Sequence, residues 1–193
     1  VTFIAMIDTC ATAGEPQEAE SWFQRMRDSS IAPDVVSFSS VVKAYALVGD
    51  IDGVDKCLAR MDLEGVQPNV ITFSAAIDAC KSSHNLAHAE RLFEYMQYTG
   101  VTPSSIMYTA LIDVAGESGD LAGAHRYLKA MRRDGIPGCP MVYNKMLKAC
   151  RLSQPTVKDQ ASVIFRDMVK DKIAPNKFTL NELRSIMGDG AAR

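Results

Sequence analysis

Long apolar runs are missing from this chain. Nowhere do about 18 apolar residues follow one another, so no segment reads as a membrane span and no membrane partner is expected. An excess of positive charge is missing too. Twenty-one Lys and Arg stand against 23 Asp and Glu, a net charge of −2, which does not advertise a nucleic-acid surface. The five cysteines are an odd number without a CxxC pair, which argues against a disulfide scaffold and a zinc site and favours a reducing compartment. Phosphate-loop, G-x-S-x-G, H-E-x-x-H and dinucleotide fingerprints are all lacking. No catalytic residue, metal, cofactor or small-molecule substrate is therefore expected. An initiator Met and a charged-then-apolar leader are lacking as well, and the first residue already sits inside a repeat. The chain reads as a piece of a longer protein.

What is present is a period. Pro33, Pro68 and Pro103 are 35 residues apart, and so are the aromatics Phe3, Phe38, Phe73, Tyr108 and Tyr143. A fixed period of this size marks a solenoid, which offers a groove rather than a pocket. Phe38, Val41, Val42 and Tyr45 follow the i, i+3, i+4, i+7 spacing of one helical face, as do Phe73, Ala76, Ile77 and Cys80. Breaks follow at Gly14, Gly49 and Gly119, then a second apolar stripe such as Ala89, Leu92, Phe93 and Met96. Each unit is helix, turn, helix, turn, and neither helix can hide its stripe alone.

The expected fold is all-α: a right-handed α-solenoid of stacked helix-turn-helix repeats. One solenoid over 1–187 is divided into repeats 1–35, 36–70, 71–105, 106–140 and 141–177, with a partial sixth at 178–187. The tail 188–193 has no pattern and is expected to fray. Two additional residues near Ser153-Gln154-Pro155 lengthen the fifth repeat and are assigned to the turn between its helices.

Most conspicuous residues read as structural. Met26, Met61, Met96, Met131 and Met168 recur at the end of the second stripe as core filler, and Trp22 shares that stripe. Cys10, Cys80 and Cys150 occupy one repeat position and read as small buried apolar residues. Cys80, His84 and His88 have a metal-like spacing, but His84 falls in a turn and Cys80 on the core face. Asp50, Asp52 and Asp55 open a second helix, where carboxylates suit the positive end of its dipole.

A 35-residue helix pair with Ile71-Thr72-Phe73, then Ala76-Ile77-Asp78, Ala89, Leu92-Phe93, Met96, Gly100-Val101 and Pro103 resembles the pentatricopeptide repeat. The tetratricopeptide repeat, with a 34-residue period and a W-x2-L-G pattern, fits less well. The resemblance implies binding of single-stranded RNA, about one base per repeat, within a longer RNA-processing, stability or expression factor of the mitochondrion or chloroplast. Two or three side chains per repeat would read each base.

Carried over residue by residue, the base-edge pairs are Ile4 with Asp34, Ser39 with Asn69, Ser74 with Ser104, Thr109 with Cys139, and Asn144 with Asn176. By that resemblance, Ser39/Asn69 suggests adenine and Asn144/Asn176 suggests cytosine or uracil. Val1, Val36, Ile71, Ile106 and Met141 would stack on bases. Ile4 offers no hydrogen-bonding group, Cys139 is a poor donor and acceptor, and Gly138 replaces the usual proline. In the fifth repeat, the altered spacing puts the placement of Asn176 in question.

From the helical period, Val36, Ser39 and Lys43 (and Ile71, Ser74 and Asp78) are expected on the face opposite the core, aligned into one concave groove. The family's phosphate-facing lysine is replaced by Thr12, Leu47, Ser82, Glu117 and Leu152. Lys43, Lys81, Lys148 and Arg151 are offset by Asp8, Asp78, Asp113 and Glu117, so weak binding with a shallow salt dependence is expected. The competing reading is a protein-interaction scaffold using the same groove for a peptide or partner helix. A third is the adaptor segment of an enzyme whose catalytic domain lies outside these residues.

Overall fold

Among the described residues a proline or a short polar residue opens α-helix after α-helix, and an apolar stripe then holds each against its neighbours. The computed structural model describes residues 2–152 and 157–188. Val1, the Ser153-Gln154-Pro155 segment and the tail beyond Gly188 lie outside the described residues. Among those described there are eleven α-helices and no strand. They belong to two compact units, Val1–Pro103 and Ser104–Arg193. The fold class is an all-α helical repeat solenoid.

The first unit holds α1 (Phe3–Ala13), α2 (Pro16–Asp28), α3 (Val35–Leu47), α4 (Ile51–Leu63), α5 (Val70–Ser82) and α6 (Leu86–Tyr98). The first helices stack directly, α1 on α3 and α3 on α5, while α2 leans on α3 and α4 on α5. Phe23 and Phe38 meet edge to face with centroids 4.7 Å apart. Cys10, Cys80 and the methionines Met26, Met61 and Met96 are buried. Gly14 and Gly49 end α1 and α3 with φ of 72° and 74°, a left-handed turn that a Cβ would strain.

The second unit holds α7 (Ser105–Glu117), α8 (Leu121–Arg133), α9 (Pro140–Leu152), α10 (Val157–Lys170) and α11 (Lys177–Met187). Again α7 packs on α9 and α9 on α11. Gly116 lets α7 approach α9 closely, because a Cβ there would lie 2.6 Å from the Ala149 Cβ. The repeat aromatics of this unit are tyrosines, and their hydroxyls are partnered: Tyr108 with Asp134, Tyr143 with Asp171. Arg132 completes the second pair, donating to the Tyr143 hydroxyl at 2.8 Å and to Asp171. Met131, Met168 and Cys150 are core residues here.

Candidate nucleic-acid interface

The residue that follows each repeat proline caps the next first helix. Asp34, Asn69 and Ser104 cap α3, α5 and α7, and Asn176 caps α11. Asn69 Oδ1 accepts the backbone N–H of Ile71 at 2.9 Å and of Thr72 at 3.0 Å. The Thr72 hydroxyl accepts the Asn69 N–H in return, at 3.2 Å. Such reciprocal caps satisfy donors that a helix start otherwise leaves open, worth about 1 kcal/mol.

Within the first unit the cap also reaches back to the preceding first helix. Ser39 Oγ on α3 lies 2.7 Å from Thr72 Oγ1, and Thr72 Oγ1 lies 3.1 Å from Asn69 Oδ1. Ser39 and Asn69 are thus joined through a threonine that is wholly buried.

The second unit repeats this arrangement in the fifth repeat. The Thr179 hydroxyl donates to Asn144 Oδ1 at 2.7 Å, and Asn144 Nδ2 donates to Asn176 Oδ1 at 3.3 Å. The Asn176 N–H donates to Thr179 Oγ1 at 3.1 Å, which closes a ring. The two additional residues of this repeat do not part Asn144 from Asn176. Both line a cleft of about 650 Å³ with Cys139, Met141, Lys145 and Phe178. Met141 and Phe178 are more than half exposed and apolar, while the asparagines and Lys145 are half-buried.

Val36, Ile71 and Ile106 are likewise exposed. Ser74 and Ser104 are half-buried, and the Ser104 hydroxyl accepts the Met107 N–H at 3.3 Å. Ile4 and Cys139 are half-buried, and Asp34 is exposed.

Three expected placements need correction. Ser39 and Thr109 do not stand on an open helix face: they are only 7% and 8% exposed. The cause is the direct stacking of first helices, which covers the flank next to the aromatic with the following repeat. Thr72 covers Ser39 in this way. Thr109 donates to the Ser105 carbonyl at 2.7 Å. Asp113, read from the sequence as an exposed offsetting charge, is also buried.

The cations of this side are engaged by acids about one repeat away. Lys43 Nζ lies 3.2 Å from Asp8, Lys145 Nζ 2.7 Å from Asp113, and Arg151 Nε 3.1 Å from Glu182; Lys148 pairs with Glu117. In the first unit a smaller cleft of about 450 Å³ includes Lys43, Leu47, Asp78 and Lys81. Of the metal-like trio, Cys80 is core and its thiol is pushed up to about 12 by burial. His84 takes a positive φ in its turn. His88 is buried between Asp55 (3.1 Å) and Arg91 (2.7 Å).

Sequence reasoning missed Thr72, Thr179, Phe178 and Lys145. A signal for the threonines was available, since Asn69-x-x-Thr72 and Asn176-x-x-Thr179 both read as capping boxes. Phe178 opens the partial sixth repeat at the position of Met141 and could have been found by continuing the repeat alignment.

The same architecture recurs among solved structures. Maize PPR10 superposes with a TM-score of 0.77 at 23% identity, covering 98% of this chain and 27% of that one. The pentatricopeptide repeat protein PPR10 in complex with an 18-nt psaJ RNA element gives 0.75 at 25% identity, over 98% of this chain and 26% of that one. The PPR domain of Arabidopsis thaliana protein-only RNase P 1, in complex with tRNA, gives 0.73 at 15% identity and 94% coverage of both chains. This chain thus spans about a quarter of the length of PPR10. No curated protein matches it in sequence. The pentatricopeptide repeat domain profile matches residues 30–83, 56–118 and 91–152, and the PPR repeat family profile matches 1–47. The period, the paired helices and these matches agree: the chain belongs to the pentatricopeptide repeat family.

Proposed function

We propose that this chain binds single-stranded RNA along the first-helix side of its repeats, about one base per repeat, without chemistry of its own. The observation that carries the reading is the cleft of the fifth repeat. There the exposed Met141 and Phe178 and the half-buried Asn144 and Asn176 line one opening. Apolar and aromatic surfaces press on base faces, and side-chain amides bond base edges. Ser39 and Asn69, with Val36 and Ile71 beside them, provide the corresponding set in the second repeat; Ser74, Ser104, Thr109 and Ile106 are assigned the same duties in the third and fourth. PPR10 being solved with an RNA element supports the ligand class. We place the chain within a longer factor for organellar RNA processing, stability or expression, in keeping with the resemblance to the family.

A second reading, a scaffold for a protein partner, is favoured by one feature. Lys43, Lys145, Lys148 and Arg151 are already engaged by carboxylates, so little free positive charge is offered to phosphate. Sequencing the bound fraction of a randomised RNA pool at low salt decides between them. Enrichment that is lost in Asn144→Ala/Asn176→Ala supports RNA reading. No retention by a folded helical chain transfers the groove to a protein partner.

A further inference from the structure

We propose that Lys170, Lys172 and Lys177, gathered at the turn from α10 to α11, form a contact site for the phosphates of the RNA strand that enters the fifth-repeat cleft. The inference rests on the RNA reading above and adds to it the place where the backbone is held.

The charge of the chain is divided unequally. Fourteen of its 21 basic residues and nine of its 23 acidic ones fall in the second unit, a net charge of +5 against −7 in the first. Along the turns that lead from a second helix to the next first helix the contrast becomes local. The position of Lys170 holds Asp28, Leu63, Tyr98 and Arg133 in the earlier repeats. That of Lys172 holds Ser30, Gly65, Gly100 and Gly135, and that of Lys177 holds Val35, Val70, Ser105 and Pro140. The last turn alone has a cation at all three.

The fold accounts for only one of these lysines. Lys170 suits its place, because a cation in the last turn of α10 answers the negative end of the helix dipole. Lys172 takes a φ of 59°, a left-handed turn that Gly65, Gly100 and Gly135 adopt freely and that only Ser30 shares among its equivalents. Lys177 opens α11, whose first turn holds no acid, so its charge stands at the positive end of the dipole. Residues kept against local preference point to a duty outside the fold.

All three lysines are exposed, and among the described residues none of them meets a carboxylate. The acids nearby are taken. Asp171 accepts the Tyr143 hydroxyl and lies 2.9 Å from Arg132, Asp167 lies 3.6 Å from Arg132, and Glu182 pairs with Arg151. On the first-helix side, by contrast, Lys145 and Lys148 are answered by Asp113 and Glu117. Lys177 stands between Asn176 and Phe178, both of which line the cleft of about 650 Å³. A nucleotide whose base enters that cleft carries its phosphate on the far side of the sugar, outside the opening, where an ammonium can meet it. Lysine serves phosphate as a point charge, and the contact requires no particular base. The apolar pair and the amides of the cleft favour RNA over an acidic protein segment as the bearer of the anions.

The test uses the full chain and RNA recovered from the pool that the wild type enriches, titrated by anisotropy at several salt concentrations. Lys170→Gln/Lys172→Gln/Lys177→Gln should lower the slope of log K against log salt by about 2, at about 0.7 for each phosphate contact on a single strand. Affinity should fall at low salt for all sequences alike and approach the wild type at high salt. The control Lys56→Gln/Lys129→Gln/Lys158→Gln removes the same charge from exposed residues elsewhere, and it should change the slope less than half as much. Lys172→Gly should lower the slope by about 0.7 with the melting temperature unchanged or higher, while Lys172→Arg should keep the wild-type slope.

A folded triple variant with the wild-type slope overturns the proposal, and so does a control that loses as much. Retention of a polyglutamate probe by the wild type, lost in the triple variant while RNA binding is unchanged, would assign the turn to an acidic protein and also overturn it. An absence of RNA binding by the wild type would instead remove the RNA reading itself, and this site with it.

Discussion

Lys145 on α9 donates to Asp113 on α7 over 2.7 Å, and the Asp113 side chain is only 5% exposed. With Lys148 and Glu117 one turn further along, the candidate base cleft of the second unit is bordered by lysines whose charge is already answered. Releasing one of them should therefore change how the chain meets phosphate. Glu117→Gln is expected to raise RNA affinity at low salt and to steepen the log K against log salt plot by about 0.7, the value for one more phosphate contact on a single strand. Titration at several salt concentrations reads this, and an unchanged slope would place Lys148 away from the RNA path.

Phe178→Ala should weaken RNA binding by about tenfold or more, in line with loss of one base-aromatic stack. Because Phe178 is 70% exposed, the melting temperature should hardly move. Anisotropy and thermal denaturation on the same preparation separate the two effects.

Gly116→Ala should destabilise the second unit by about 1–3 kcal/mol, since the new methyl would overlap the Ala149 Cβ at 2.6 Å. Ala149→Gly in the same chain should restore much of the loss, because it removes the atom that is struck. Denaturant unfolding of both single variants and the double variant gives the coupling.

Burial, then the hydrogen bond to Asp171, pushes the Tyr143 phenol up to about 12, from the ordinary value of 10.0. The folded chain thus favours the protonated phenol. Its contribution to stability is complete below pH 10 and disappears as the pH rises through about 12. Tyr143→Phe should make the fall in melting temperature across that window shallower. The other raised tyrosines, Tyr95 and Tyr108, leave part of the slope in place.

At pH 8, iodoacetamide should label Cys139 well before Cys57 or Cys80. Cys139 is half-buried at the cleft, whereas burial raises both core thiols to about 12. Peptide mass spectrometry after a short exposure shows the order, and equal labelling would mean that the core opens readily.

The helices were legible because their causes are local. Phe38 and Phe73 with their i+3, i+4 and i+7 partners, and Gly14 and Gly49 at the stops, need only a period and a residue that tolerates positive φ. The burial of Ser39 was not legible in the same way. Helical periodicity puts it on the flank of α3, but the covering atom is Thr72, 33 residues later. The pairing of Lys145 with Asp113 escaped notice for a like reason: it exists only once α7 and α9 lie side by side. The asparagine caps fall between these cases. Asn69 and Asn176 announce themselves by their spacing from proline, yet Ser39 reaches Asn69 through a third residue, Thr72, and Asn144 meets Asn176 both directly and through Thr179.

That third residue alters what counts as one module. Ser39 belongs to α3, but Asn69 and Thr72 belong to the start of α5; Asn144 belongs to α9, but Asn176 and Thr179 to the start of α11. Each proposed reading station is therefore a joint between helices, and joints number one fewer than the posts they connect. The posts α1, α3 and α5 make two joints, and so do α7, α9 and α11. Deleting α11 would erase the proposed station of Asn144 although α9 stayed whole, and the repeat 36–70, transplanted from its β-branched opening, would carry Ser39 and Asn69 but leave behind Thr72, the hydroxyl that joins them.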